Sequence, residues 1–266
     1  MSTLALALPT PGLVSADVLR LRKRRGLVLV VSLLTIGAIV ISNTIIELLH
    51  LSNSAAHGPA GGVTMLGHQA FTIAALGAVA AAIVGATAGS GDLDAGVYRD
   101  LVVTGRSRLA LYASRIPAGL LFLVPFVASA YALEAGVSVV FAGFHPLPST
   151  YVLTVTGLWV LLKVVFYYLL AVGIACLVGS RSYTIGALLA WTLAVTPILA
   201  SIAALGKVRE LVPGVALDSL MPAALGGSAR QGPVIAMSAA AVAAVLVVWA
   251  VAALAAGAVR DTTRDA

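Results

Sequence analysis

Charge is scarce in this chain: 16 Lys and Arg and 10 Asp and Glu in 266 residues, against 61% hydrophobic residues. With a mean hydropathy of +1.07, that is too little polar surface for a water-soluble domain of this length, whose exposed apolar patches would aggregate. Cysteine is nearly absent. Cys176 stands alone within an apolar run, which excludes a disulfide or a thiolate metal cluster within one chain. No G-x-x-x-x-G-K-[ST] phosphate loop occurs, so the chain cannot itself cradle ATP phosphates. The net charge of +6 is what basic flanks of membrane spans give, and nucleic-acid recognition would need a clustered, water-facing basic surface with aromatic or polar readout, so no nucleic-acid partner is expected.

What the sequence has instead is long apolar runs. Six reach the roughly 20 residues needed to cross a bilayer: Gly26–Leu49, Phe71–Gly89, Ile116–Phe141, Tyr151–Val178, Tyr183–Leu205 and Pro233–Val259. None alternates as a barrel strand would, so each satisfies its backbone as a helix. The expectation is an all-α membrane protein: a cytoplasmic N-terminus with an amphipathic helix (1–25), a six-helix transmembrane domain (26–259) and a cytoplasmic tail (260–266). Small residues, as in "ALGAVAAAIVGATAG" of the second run, permit close helix approach. A cleaved signal peptide is not expected, since no basic residue precedes the first short apolar stretch and Pro9 and Pro11 interrupt it.

Orientation follows from the basic residues. Arg20, Arg22, Lys23, Arg24 and Arg25, then Arg99, Arg106, Arg108 and Arg115, then Arg181, then Arg260 and Arg264 all fall on one side of six crossings. The other side carries Lys207, Arg209 and Arg230. The positive-inside rule therefore puts both termini in the cytoplasm.

The stretch "GDLDAGVYRDLVVTGRSRLALYASR", Gly91 to Arg115, is then a cytoplasmic loop. The Gly-Ser-Gly at Gly89 to Gly91 reads as a break, after which Asp92 and Asp94 suit a helix N-terminus. Leu93, Val97 and Leu101 repeat at spacing four, giving a short amphipathic helix that ends at Gly105. A second helix starts at Ser107 and carries Arg108 and Arg115 into the third span. An apolar stripe beside mixed charges can rest on lipid or dock in a partner's groove. The aspartates would be repelled by an anionic leaflet, which favours a protein partner.

The basic segment "SADVLRLRKRRG", the six spans and this loop resemble the membrane subunit of a type-2 ABC transporter permease. In that family an acidic-Gly-x-x-Arg stretch, followed by a basic residue leading into the third span, forms the coupling helix that docks on the ATPase. The resemblance places docking on Asp94, Gly96, Arg99, Arg106, Arg108 and Arg115, with Asp92 and Asp100 in the same stretch. It makes Ser15–Arg25 an interfacial helix and gives short outer-interface helices to "VPGVALDSLMPAALGG", which is too apolar for a free loop and too short to span. It implies a cytosolic ABC ATPase carrying ATP and Mg, and a second six-span subunit, identical or related. It also implies the bacterial plasma membrane as the setting and export as the direction. This chain would hold no cofactor.

Inside the spans, Glu47, Glu134 and Lys163 are ionisable, and intramembrane charges point to functional sites. A Glu134–Lys163 contact is one expectation, although Glu134 lies about 27 Å along the third span and Lys163 about 18 Å along the fourth from the opposite side. With Trp159 and Tyr167, these two are candidates for a translocation path through which an amphiphilic or hydrophobic compound would move; Phe166 and Tyr168 stand beside them. Pro117, Pro125 and Pro197 are expected kink sites. An ion- or proton-coupled transporter is the alternative, and a membrane-embedded enzyme a further one. Against the enzyme, Ser90 lies in "AGSG" and the four histidines sit away from it. The loop histidines match no zinc spacing, and no metal site is expected.

Overall fold

The helices follow directly from the apolar runs, extended by caps that the runs alone do not reveal. The computed structural model describes residues 10–94, 96, 107–225 and 235–263, and these contain no strand. Helix α1 (Pro11–Lys23) begins with Pro11, whose missing N–H costs nothing in the first turn. Its last turn carries Arg20, Arg22 and Lys23, favourable charges at a helix C-terminus. Arg24 leaves helical geometry, and α2 (Arg25–Ser52) starts at once. A π turn at Leu33–Gly37 lies within α2.

Helices α3 (Val63–Asp94), α4 (Arg108–Val140), α5 (Thr150–Val178), α6 (Arg181–Ser201) and α8 (Ala239–Thr263) complete the set. Between α6 and α8 lie a 3-10 segment at Ala203–Leu211, the short α7 (Pro213–Ser219) and a 3-10 turn at Ala223–Leu225. Six helices, α2 to α6 and α8, are long and apolar enough to cross a membrane, as in a multi-pass membrane protein. The Ser-capped starts are local chemistry. Ser107, Ser149 and Ser180 each accept a backbone N–H through the side chain, at the heads of α4, α5 and α6. Gly179 closes α5 at φ +75°, a left-handed cap that a β-carbon would strain.

Helices α3 and α5 form the centre and pack along their lengths. The reason is steric. A β-carbon on Gly85 would sit 2.5 Å from Ala171 Cβ, and one on Gly89 2.7 Å from Ala175 Cβ. The same device joins α5 to α8, where a β-carbon on Gly173 would lie 2.4 Å from the Ala253 carbonyl oxygen. Backbones in contact gain dispersion along the seam, the main source of helix association where lipid removes the hydrophobic drive. Exposed Leu29, Ile41, Leu121, Leu158 and Val248 cover the outer faces, as expected for surfaces that meet hydrocarbon.

Two expectations change here. Gly89 to Gly91 does not break the helix, because α3 runs through to Asp94; these glycines let α5 approach rather than turning the chain. Asp92 and Asp94 therefore close a helix instead of opening one. The helix expected to start at Ser107 does run into the third span, from Arg108 without interruption. Pro117 and Pro125 lie inside the continuous α4, while Pro197 follows a π turn at Trp191–Val195 in α6.

Candidate functional site

A carboxylate at the C-terminal end of a helix is in the wrong place for the helix dipole, and Asp92 is also buried. Cations offset both penalties. Arg20 from α1 and Arg115 from α4 pair with it, the latter at 3.3 Å. Arg115 in turn lies 3.6 Å from Asp261 of α8 and donates to the Gly89 carbonyl at 3.1 Å. The same Arg115 amino group lies 3.3 Å from Cys176 Sγ of α5. Arg20 also meets Asp17 at 3.2 Å, and Asp17 accepts from Ser114 Oγ at 2.7 Å. Tyr168 of α5 donates to the Arg115 carbonyl at 2.6 Å, and Tyr112 to the Leu254 carbonyl at 2.8 Å. Five helices, α1, α3, α4, α5 and α8, are thus fastened at one end by a charge cluster whose central guanidinium is 2% exposed.

This cluster absorbs two of the residues assigned to docking. Asp92 and Arg115 point into the protein, so in this conformation they hold the roots of the loop and do not present a surface. Arg108, at the head of α4, donates to the Thr262 carbonyl at 3.3 Å. Gly96 stands in a turn at φ +69°. The Asp94 side chain, Arg99, Asp100, Arg106 and the amphipathic helix expected around Val97 and Leu101 lie outside the described residues.

The second constellation lies deeper. Glu134 does not meet Lys163. It accepts from Asn43 Nδ2 of α2 at 2.7 Å, while Gln69 Nε2 of α3 donates to Ser42 Oγ at 2.8 Å and to Asn43 Oδ1 at 3.3 Å. Glu134 is fully buried, and its Oε1 has no hydrogen-bond partner among the described residues. The separation in depth seen in the sequence is the reason the two charges miss each other: each found a nearer polar group. Asn43 and Gln69 were not singled out, yet an uncharged amide inside an apolar run is itself a signal, since it must find a partner.

Lys163 belongs to a third constellation. Its Nζ lies 2.7 Å from Asp218 Oδ1 of α7 and over the rings of Phe71 and Trp159, at 5.2 and 5.4 Å to the centroids. Trp159 Nε1 donates to the Leu217 carbonyl at 2.8 Å, which holds α7 against α5. Lys163 and Asp218 line a cavity of about 440 Å³, together with Phe71, Tyr167, Leu193 and Thr196 among others. Lys163 and Tyr167 therefore line one cavity, Trp159 packs beside it, and Glu134 does not line it. The sequence signal for Asp218 is that it is the lone acid in "VPGVALDSLMPAALGG". Among the described residues no group of His, Cys, Asp and Glu could hold a metal ion.

No protein-family model matches the sequence, and no curated protein matches it either.

Proposed function

We propose that this chain is the membrane-spanning subunit of a type-2 ABC exporter in the bacterial plasma membrane. The segment between α3 and α4 would lie in the cytoplasm with both termini and dock a separate ATPase that binds ATP and Mg. Two six-span subunits would pair around the path of an amphiphilic or hydrophobic cargo. The short segments between α6 and α8 would lie at the outer interface.

One observation supports this reading above the others: both roots of the charged loop are tied by ion pairs to α1 and α8. A loop whose roots are anchored to three other helices, α1, α5 and α8, is fitted to pass a displacement into the bundle, whereas an unanchored loop would flex and dissipate it. The Tyr168 bond to Arg115 continues that link into the central α5.

The test is co-purification from native membranes, followed by identification of the bound polypeptide and measurement of its ATP hydrolysis. Asp94→Lys with Arg99→Glu should release the ATPase and leave the membrane fold intact; unchanged co-purification refutes the docking assignment. In a Cys176→Ala background, Thr104→Cys should react with an impermeant maleimide only after cell lysis, and Ser54→Cys from outside. The reverse pattern would end the proposal.

A proton-coupled transporter is the second reading, and Glu134 is the observation in its favour. Its carboxyl is buried and its Oε1 has no hydrogen-bond partner among the described residues, which suits a proton carrier. Transport sustained by a proton gradient after ATP depletion would select it.

A further inference from the structure

The ion pair in the cavity is asymmetric. The Lys163 side chain is 9% exposed and sits about 20 Å along α5, near the middle of a span. Asp218, its carboxylate partner, has a side chain 47% exposed. It rides on α7, a helix of seven residues, while Lys163 is fixed on the long central helix between two aromatic rings. One member of the pair is therefore buried on the central helix, and the other is within reach of whatever enters the cavity.

We infer that this cavity binds an amphiphile with an anionic head group, and that the Asp218 carboxylate occupies the head-group position at Lys163 until the ligand displaces it. The inference deepens the transport reading above and rests on it for regarding the ligand as cargo.

The sign of the ligand's charge follows from desolvation. A cationic ligand drawn to Asp218 would compete with an ammonium already 2.7 Å away. Success would leave Lys163 buried and uncompensated, the costly outcome for a buried pair. An anion does the opposite. It takes over Lys163, and the released Asp218 gains water because it is already half-exposed. Phe71 and Trp159 add a ring-face attraction that holds the ammonium in place.

The tail follows from the wall. Phe71, Leu76, Leu193, Pro197 and Val215 supply apolar surface around the pair, which a bare inorganic anion would leave unused. The volume of about 440 Å³ is within the usual range of small-molecule sites, roughly 300–1,000 Å³.

Binding of tritiated dodecyl phosphate to the full chain in phosphatidylcholine nanodiscs tests this. Saturable binding is expected, weakened at least about tenfold by Lys163→Met, which removes the charge opposite the head group. Lys163→Arg should retain binding and shows that the loss is one of charge. Asp218→Asn should tighten it several-fold, because the internal competitor is gone. Since Asp218→Asn predicts a gain, it cannot be mistaken for misfolding.

Three results would overturn the assignment: Lys163→Met binding as wild type, dodecyltrimethylammonium competing as well as dodecyl phosphate, or inorganic phosphate doing so. Repeating the titration with phosphatidylglycerol in the nanodisc identifies the source of the anion. Competition dependent on Lys163 indicates a membrane lipid; its absence indicates an amphiphile arriving from water. No ATPase is present in the assay. Its failure removes the ligand and leaves the docking proposal standing, and failure to recover an ATPase leaves the binding result standing.

Discussion

Replacing Arg115 by Met should be among the most damaging single substitutions in the protein. Arg115 lies 3.3 Å from Asp92 and 3.6 Å from Asp261, so at an effective dielectric of about 20 each pair is worth about 5 kcal/mol of gross attraction. Desolvating three charges consumes most of that, at several kcal/mol per ion. The net worth of the cluster is therefore small, but the cost of breaking it is not. Met fills similar space and withdraws the guanidinium from two carboxylates 5% and 0% exposed, which predicts a loss of about 3–5 kcal/mol. Arg20→Met is the control. That side chain is 30% exposed, and its loss should cost about 1 kcal/mol or less. Unfolding by dodecyl sulfate in mixed micelles, followed by circular dichroism, measures both. The triple variant Arg115→Met, Asp92→Asn, Asp261→Asn removes all three charges and should recover most of the stability. A single Arg115→Met variant within 1 kcal/mol of wild type, or a triple variant no better than the single, would refute the electrostatic account.

Gly119→Ala places a β-carbon 2.0 Å from Tyr168 Oη, so the tyrosine must move and give up the Arg115 carbonyl; a loss of about 1–3 kcal/mol is expected in the same micelle assay. Pairing it with Tyr168→Leu should cost less than the sum of the singles, and strict additivity would show that the two do not meet. Glu134→Gln keeps the shape of the side chain and, on the proposed exporter function, should leave transport at the wild-type level. Abolished transport in that variant would instead favour the proton-coupled reading. Glu134→Leu should destabilise by about 1–3 kcal/mol, since it leaves the Asn43 amide without its acceptor.

The six long helices were legible in the sequence because a run of 20 apolar residues has few other ways to satisfy its backbone. The Ser107 start of α4 was legible for a local reason, the hydroxyl three residues ahead of an amide it can bond. What stayed hidden depends on contacts distant in sequence. Whether Gly89 breaks or packs a helix is decided by Ala175, Val172 and Arg115, none of them neighbours in the chain. Glu134 and Lys163 were picked out as the charges that needed partners, but their partners lie 91 and 55 residues away. One of these partners is uncharged and so carried no electrostatic signature.

Helix α5 gives these separate features a common mechanical element. Tyr167 lines the cavity beside Lys163, and Tyr168, the next residue, donates to the Arg115 carbonyl inside the charge cluster. A helix turns by about 100° per residue, so consecutive tyrosines address different neighbours from one rigid rod. Lys163 stands one turn before Tyr167 and therefore on the same face as it. Any displacement of the loop roots that moves Arg115 also moves α5 or breaks the Tyr168 bond. Moving α5 alters the geometry of Lys163 against α7, which is held separately by the Trp159 bond to Leu217. Release of the Asp218 carboxylate and movement of the loop are in this way two ends of the same helix. A ligand that takes Lys163 should accordingly change the protection of amides near Ser107 and Arg115, and a polypeptide bound at the loop should change head-group affinity by the same factor as the ligand changes that polypeptide's affinity, since coupling between two binding events is reciprocal.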